Sequence, residues 1–156
     1  MNSAKQKILV VANRTADSPD LIAALRQRAD RAAAGFTLLV PAVPHGLAWA
    51  ADMKAGWSEA VGRAEHAAAR IREEGLDLDE VIVGDPDPFA AVGDVLHSRE
   101  FDEVVVSVLP MRVSRWLAIG LPARLRRTID LPVTQVTAHA QPQPLPVGSR
   151  ETVLAA

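Results

Sequence analysis

The chain contains no cysteine among its 156 residues. That excludes disulfides, thiolate nucleophiles and cysteine-ligated zinc, and it fits a reducing compartment, so a cytoplasmic location is expected. There is also no strong charge of either sign. Seventeen Lys and Arg stand against 19 Asp and Glu, for a net charge of -2. No sequence-wide basic field exists to recruit nucleic acid or an anionic membrane surface. Long apolar runs are missing too. Residues 8–12 (Ile-Leu-Val-Val-Ala), behind Lys5 and Lys7, are too few for the core of a secretory signal. No segment approaches the roughly 20 apolar residues of a membrane-spanning helix. Nothing resembles a Gly-x-Ser-x-Gly elbow, a Gly-Lys-Ser/Thr phosphate loop or a nucleophile with its base, so no catalytic residue is nominated. His45, His66, His97 and His139 are too widely spaced to converge on a metal.

What is present is ordinary globular composition, 49% hydrophobic and 23% charged, in a length that suits one domain with a real core. Residues 8–12 have the continuous apolar pattern of a strand covered on both faces. Ser18-Pro19 reads as an N-cap with proline at the first helical position. Leu21, Ile22, Leu25, Ala29, Ala32 and Ala33 form one face of the helix it opens, which Gly35 is expected to end. Residues 36–40 are a second strand. Residues 41–56 keep no period and form a long loop of the kind that carries function.

A second amphipathic helix carries Trp57, Ala60, Val61, Ala64, Ala68 and Ile71, and stops at Gly75. Residues 81–83 are a third strand. Asp87-Pro88 repeats the cap signature before a helix with Phe89, Val92, Val95 and Leu96. A fourth strand covers 104–106, a helical segment interrupted or restarted by Pro122 spans about 115–129, and a fifth strand covers 133–137. Strands alternating with helices predict an α/β domain with a mainly parallel sheet and right-handed crossovers. The composition changes at His139, where Pro-rich chain begins, which divides the sequence into a domain at 1–138 and a tail at 139–156.

In such a sheet, ligands bind beyond the carboxyl ends of the strands. Those ends read Ala12-Asn13, then a long loop after Val40-Pro41, then Gly84-Asp85-Pro86, then Ser107-Val-Leu-Pro110 with Ser114-Arg-Trp-Leu117 following, and finally Leu131-Pro132-Val133. On these motifs the chain resembles the universal stress protein family over nearly all of residues 6–137. It is most similar to a divergent branch whose fourth-strand loop reads Ser-x-Leu-Pro and then Ser-Arg-Trp-Leu. The resemblance implies a three-layer α/β/α domain with strand order 3-2-1-4-5. It also implies a ligand site built from Asn13, Val40, Pro41, Gly84 and the stretch from Ser107 to Gly120, and a homodimer. The fifth strand is a plausible edge for that dimer to pair.

The resemblance further implies an adenine nucleotide as ligand, because members that bind one carry Gly-x2-Gly-x9-Gly-Ser/Thr after the fourth strand. Those positions here are Ser107, Pro110, Gly120 and Leu121, and only Gly120 is kept. The family's glycines bring backbone N–H groups close to phosphate. Pro110 and Pro122 have no N–H, and Leu121 has no hydroxyl, so ATP held in the usual family manner is not expected. The family's aspartate near the ribose is Asn13, which carries no charge. An anion site remains open through Ser107, Ser114, Arg112 and Arg115, with Arg124 nearby, since arginine forks bind phosphate or carboxylate. These arginines read equally as a solvated helix face, and Trp116 reads as core or as a base-stacking platform.

Asp85 and Asp87, a candidate carboxylate pair, are better explained as a turn residue and an N-cap. The expected function is a non-catalytic regulatory or ligand-binding module with an altered nucleotide or anion site. The alternatives are a small nucleotide hydrolase or transferase, and a structural homodimer whose pocket is filled by Leu109, Met111 and Leu121.

Overall fold

The structure, a computed structural model, describes residues 4–42, 53–110 and 120–139, with backbone alone for residues 53–55. In chain order the elements are β1 (Gln6–Val11), α1 (Pro19–Arg31), β2 (Ala34–Pro41), α2 (Met53–Glu73), β3 (Leu78–Gly84), α3 (Pro88–Ser98), β4 (Glu103–Val108), α4 (Leu121–Thr128) and β5 (Val133–Thr137). The strands form one sheet in the order β3-β2-β1-β4-β5, and every neighbouring pair is parallel.

Side-chain alternation sorts the core into two layers. Ile8, Val10, Leu38, Val40 and Val105 face α1 and α2, meeting Leu21, Leu25, Ala64, Ala67 and Ile71. Leu9, Val11, Leu39, Val104 and Val106 face α3 and α4, meeting Ala91, Val92, Val95, Leu121 and Leu125. Strand β1 lies at the centre, and Ile8, Leu9 and Val10 are wholly buried. This is why its sequence is a continuous apolar run and not an alternating one.

Helix ends follow local chemistry. Ser18 Oγ accepts the Leu21 N–H at 3.2 Å, and Asp87 Oδ1 accepts the Phe89 N–H at 3.1 Å, each with proline just inside the helix. Gly75 ends the α2 connection in the left-handed region at φ 75, where Leu76 N–H reaches back to the Ile71 carbonyl at 3.3 Å.

The structure corrects several sequence expectations. Helix α1 is capped at Ala32, not at Gly35. Gly35 lies inside β2, beneath Lys5 and Asp79, whose side chains occupy the space a Cβ would take. Ala29 and Ala33 are exposed, so the buried face of α1 is carried by Leu21, Ile22 and Leu25. Helix α2 begins before Trp57, at Met53. The helix expected over about 115–129 is described only from Leu121 to Thr128, with Pro122 in its first turn. The tail from residue 140 lies outside the described residues.

At the amino end of the sheet, one ionic group joins three elements. Arg28 of α1 donates to both Glu103 oxygens, Nε to Oε2 at 2.9 Å and a terminal nitrogen to Oε1 at 2.6 Å. Thr134 of β5 donates to Oε1 at 2.8 Å. The two charged side chains keep only 15% and 20% exposure. Partial burial opposes the charged form of Glu103. The hydrogen bonds from Arg28 and Thr134, with the positive charges of Arg28 and Arg31, outweigh that and hold the carboxyl below the usual glutamate range.

A carboxyl depressed on folding adds stability above its unfolded pKa and loses it as pH falls through the folded value. Glu103→Gln is therefore expected to cost about 1–2 kcal/mol at neutral pH, less than a fully buried pair because some solvent screening remains. Urea unfolding of both proteins should show this gap shrinking below about pH 4. A gap that stays constant into strong acid would refute the assignment.

Candidate functional site

The strand order reverses its winding between β1 and β4, so the loops leaving these two strands diverge and open a crevice at their carboxyl ends. Asn13 stands at the end of β1 and is only 8% exposed. Its Nδ2 donates to the Pro41 carbonyl at 2.7 Å, and its Oδ1 accepts from the guanidinium of Arg63 on α2. An aspartate could not make the first of these bonds, because an ionised carboxylate has no donor. The amide ties β1, the end of β2 and α2 together. Both ends of its side chain are thereby engaged within the protein.

Arg63 was not singled out from the sequence. The signal available was its place between Ala60 and Ala64, small core-facing residues of α2 that leave room for a long side chain to cross toward the sheet.

Beyond Asn13 the chain makes consecutive turns, Ala16 N–H to Asn13 carbonyl at 3.2 Å and Ser18 N–H to Thr15 carbonyl at 3.0 Å. These turns tuck Thr15 inward, to 4% exposure, and among the described residues its Oγ1 has no hydrogen-bond partner. Ser107 in β4 is in the same condition, 8% exposed with Oγ unpartnered. Ser107 pairs with Val136 in register and lies two residues from Val105, on the same face of β4. It therefore faces the side of the sheet covered by α1, where Val105 and Val136 pack in the cluster that contains Ala16. Two buried hydroxyls without partners among the described residues thus flank the β1–β4 crevice. A buried unsatisfied hydroxyl is costly. Thr15 was not nominated from the sequence. A lone threonine in a turn carries no pattern that reveals whether its hydroxyl is paired.

The remaining nominated residues fall into different roles. Val40 is wholly buried in the core, and the Pro41 carbonyl is taken by Asn13. A Cβ on Gly84 would lie 2.9 Å from both Ala91 Cβ and Leu39 Cδ1. The glycine is therefore required by the close approach of α3 to the sheet. Gly120 differs: its φ of −104 is ordinary, and a Cβ there meets nothing among the described residues. Leu121, at the position of the family's hydroxyl, is buried against α3. Pro122 offers no N–H, and the Arg124 N–H is spent on the Gly120 carbonyl at 2.9 Å. The Arg124 guanidinium stacks 3.8 Å above the Phe89 ring, on the α3 side. Arg112, Ser114 and Arg115 lie outside the described residues, as do His45, Met111 and Trp116.

Asp85 and Asp87 do not form a catalytic pair, since Asp85 Oδ1 accepts the Asp87 N–H at 2.8 Å and Asp87 caps α3. His66 lies 3.3 Å from Asp17, and His139 lies 3.5 Å from Asp20. Among the described residues no three His, Cys, Asp or Glu gather as a metal site.

No family model matches the chain, and no curated protein does. Solved structures do share its fold. An AMP-bound universal stress protein family protein from Arabidopsis thaliana superposes with a TM-score of 0.60 at 16% identity, covering 87% of this chain and 94% of that one. A universal stress protein from Archaeoglobus fulgidus gives 0.58 at 19%, covering 84% and 93%. A universal stress protein in complex with cAMP gives 0.51 at 23%, covering 86% and 98%. Likeness at these identities establishes the fold: a five-stranded parallel sheet in the order 3-2-1-4-5 with helices on both faces, as in universal stress proteins.

Two substitutions separate packing from binding at this end of the sheet. Gly84→Ala is expected to destabilise the protein by about 1–3 kcal/mol through overpacking against Ala91 and Leu39. An unchanged melting temperature would show that α3 does not pack so closely. Ser107→Ala should leave the unliganded protein as stable as before or more so, by up to about 1 kcal/mol, because it deletes an unpaired polar atom. A clear loss of stability in denaturant unfolding would mean that the hydroxyl has a partner inside the protein.

Proposed function

We propose that the chain is a divergent member of the universal stress protein family. In this reading it acts as a non-catalytic regulatory or ligand-binding module in the cytoplasm, with an altered nucleotide or anion site at the β1–β4 crevice. The observation that carries the proposal is the pair of buried hydroxyls of Thr15 and Ser107, unpartnered among the described residues, at the point where the sheet's winding reverses. Asn13 and Arg63 stand beside them.

The ligand class follows from the donors that are left. Pro110 and Pro122 supply no N–H, and the Leu121 side chain packs into the core, so little remains to hold a triphosphate. A ligand with a single phosphate, such as a nucleoside monophosphate, or a small anion, asks less of the loop. Two structures with this fold hold AMP and cAMP, ligands of that kind. The reading as a binding module and not an enzyme rests on where the titratable groups go. Asp85 and Asp87 are used in backbone capping, and His66 and His139 stand beside the carboxylates of Asp17 and Asp20.

A homodimer through β5 belongs to the same proposal. Gln135 and Thr137 alternate with residues whose main chain bonds β4, so their own main-chain groups face outward. The Arg126 guanidinium covers only the first outward carbonyl, that of Val133, at 3.2 Å. The Pro-rich tail at 139–156 is assigned no role in the site.

Thermal shift on the full chain tests the proposal, since a ligand that binds the native state raises its melting temperature. AMP, cAMP or inorganic phosphate is expected to raise it, and Thr15→Val and Ser107→Ala to reduce that response. A larger, magnesium-dependent rise with ATP would overturn the altered site. No response to any of them would favour a structural dimer with a filled pocket, and steady nucleotide hydrolysis would favour an enzyme. Light scattering that finds a monomer at high concentration would remove the β5 dimer.

A further inference from the structure

A second concave feature lies away from the crevice, along the free edge of β3. It is a cavity of about 560 Å³, bounded by Ile82 and Val83 of β3, Ala91 and Val95 of α3, and Trp57 of α2. The volume is in the range of small-molecule sites. Asn13, Thr15, Ser107 and Gly120 take no part in it, so it does not depend on the function proposed above.

Three observations define what it accepts. The walls are apolar: Ala91 and Val95 belong to the α3-side core, and Ile82 packs against that core while keeping part of its surface open. Trp57 is 49% exposed, and among the described residues it is the large hydrophobic side chain left in solvent. An indole at the mouth of an apolar cavity offers a negative face to a cation. The charge of the lining has one sign. Asp85 and Asp94 both border the cavity, and the single bond Asp85 makes, to the Asp87 N–H, uses one of its two oxygens. Arg99 also borders it, but its guanidinium is bound in a fork by Glu80, Nε to Oε2 at 2.8 Å and a terminal nitrogen to Oε1 at 2.5 Å. The Glu80–Arg99 pair is neutral, leaving two carboxylates that no cation pairs among the described residues.

We propose that this cavity is a binding site for small organic cations, an ammonium carried on an aromatic or aliphatic body. The body fills the space between Ile82 and Val95, and the ammonium lies between the Trp57 face and the carboxylates of Asp85 and Asp94. Anions are excluded by the same carboxylates. Neutral molecules of equal shape gain the apolar contact alone.

A charge series on one shape tests this with the intact protein: 3-phenylpropylamine, 3-phenylpropanol and 3-phenylpropionate, titrated while following backbone and indole N–H resonances. The amine is expected to bind about threefold or more tighter than the alcohol, with the carboxylate weakest. Its shifts should centre on Ile82, Val95 and the Trp57 indole. Asp94→Asn and Trp57→Ala alter exposed positions, so both variants should fold with an unchanged melting temperature. Asp94→Asn should reduce the preference for amine over alcohol, with Asp85 and the indole still in place, and Trp57→Ala should weaken amine binding by about threefold or more. Equal binding of amine and alcohol, tighter binding of the carboxylate, or shifts centred on Thr15 and Ser107 would each overturn the proposal. So would the absence of saturation by about 10 mM amine. The charge series on the unaltered protein decides the matter even if a variant does not fold.

Discussion

Strand β1 is closed on all sides: β2 and β4 flank it, and the two helix layers cover its faces, leaving Ile8, Leu9 and Val10 no solvent contact. A strand in that position cannot carry a polar side chain along its length without a partner. The first polar side chain after it is Asn13, and there the constraint becomes visible. Its amide must be satisfied in a nearly dry place, and it is, by the Pro41 carbonyl on one side and Arg63 on the other. The change from an acceptor-only carboxylate to an amide is therefore coupled to where β2 ends and to which residue α2 presents.

The two ends of the sheet treat buried polarity in opposite ways. At the amino end, Glu103 is matched by a two-pronged arginine and a threonine, and the group binds α1, β4 and β5 together. At the carboxyl end, Thr15 and Ser107 bury hydroxyls that nothing in the described protein satisfies. One end thus satisfies its buried carboxylate within the protein, and the other holds two buried hydroxyls without partners among the described residues. The carboxyl end is also where the strand connections reverse direction, so the topology and the unsatisfied atoms point to one place.

The residues that signalled a site in the sequence had several physical meanings, and only packing separates them. Gly84 belongs to a motif on which the chain resembles the universal stress protein family, yet its missing side chain is explained by Ala91 and Leu39. Gly120 has no such neighbours among the described residues. Gly35 resembled a helix stop and is a strand residue. Arg124 read in the sequence as a helix-face charge or an anion-binding group, and in the fold its guanidinium stacks on Phe89. A one-dimensional pattern records that a small or charged residue is needed without recording which neighbour needs it.

The sequence by itself determined the architecture, because burial writes its period directly into the chain. The apolar run of β1, the Ser18-Pro19 and Asp87-Pro88 caps and the stop at Gly75 each act over a few residues, and each element formed near where those signals stand. The loss of phosphate donors was legible for the same reason: proline lacks its N–H in any fold. Tertiary structure alone decided that Arg63 reaches Asn13, that the Thr15 and Ser107 hydroxyls find no partner among the described residues, and that the edge of β3 borders a cavity lined by Asp85 and Asp94 beside Trp57. Each of these joins residues from different elements. Whether a polar atom is satisfied depends on which atoms the folded sheet and helices bring within hydrogen-bond distance, which no local pattern encodes.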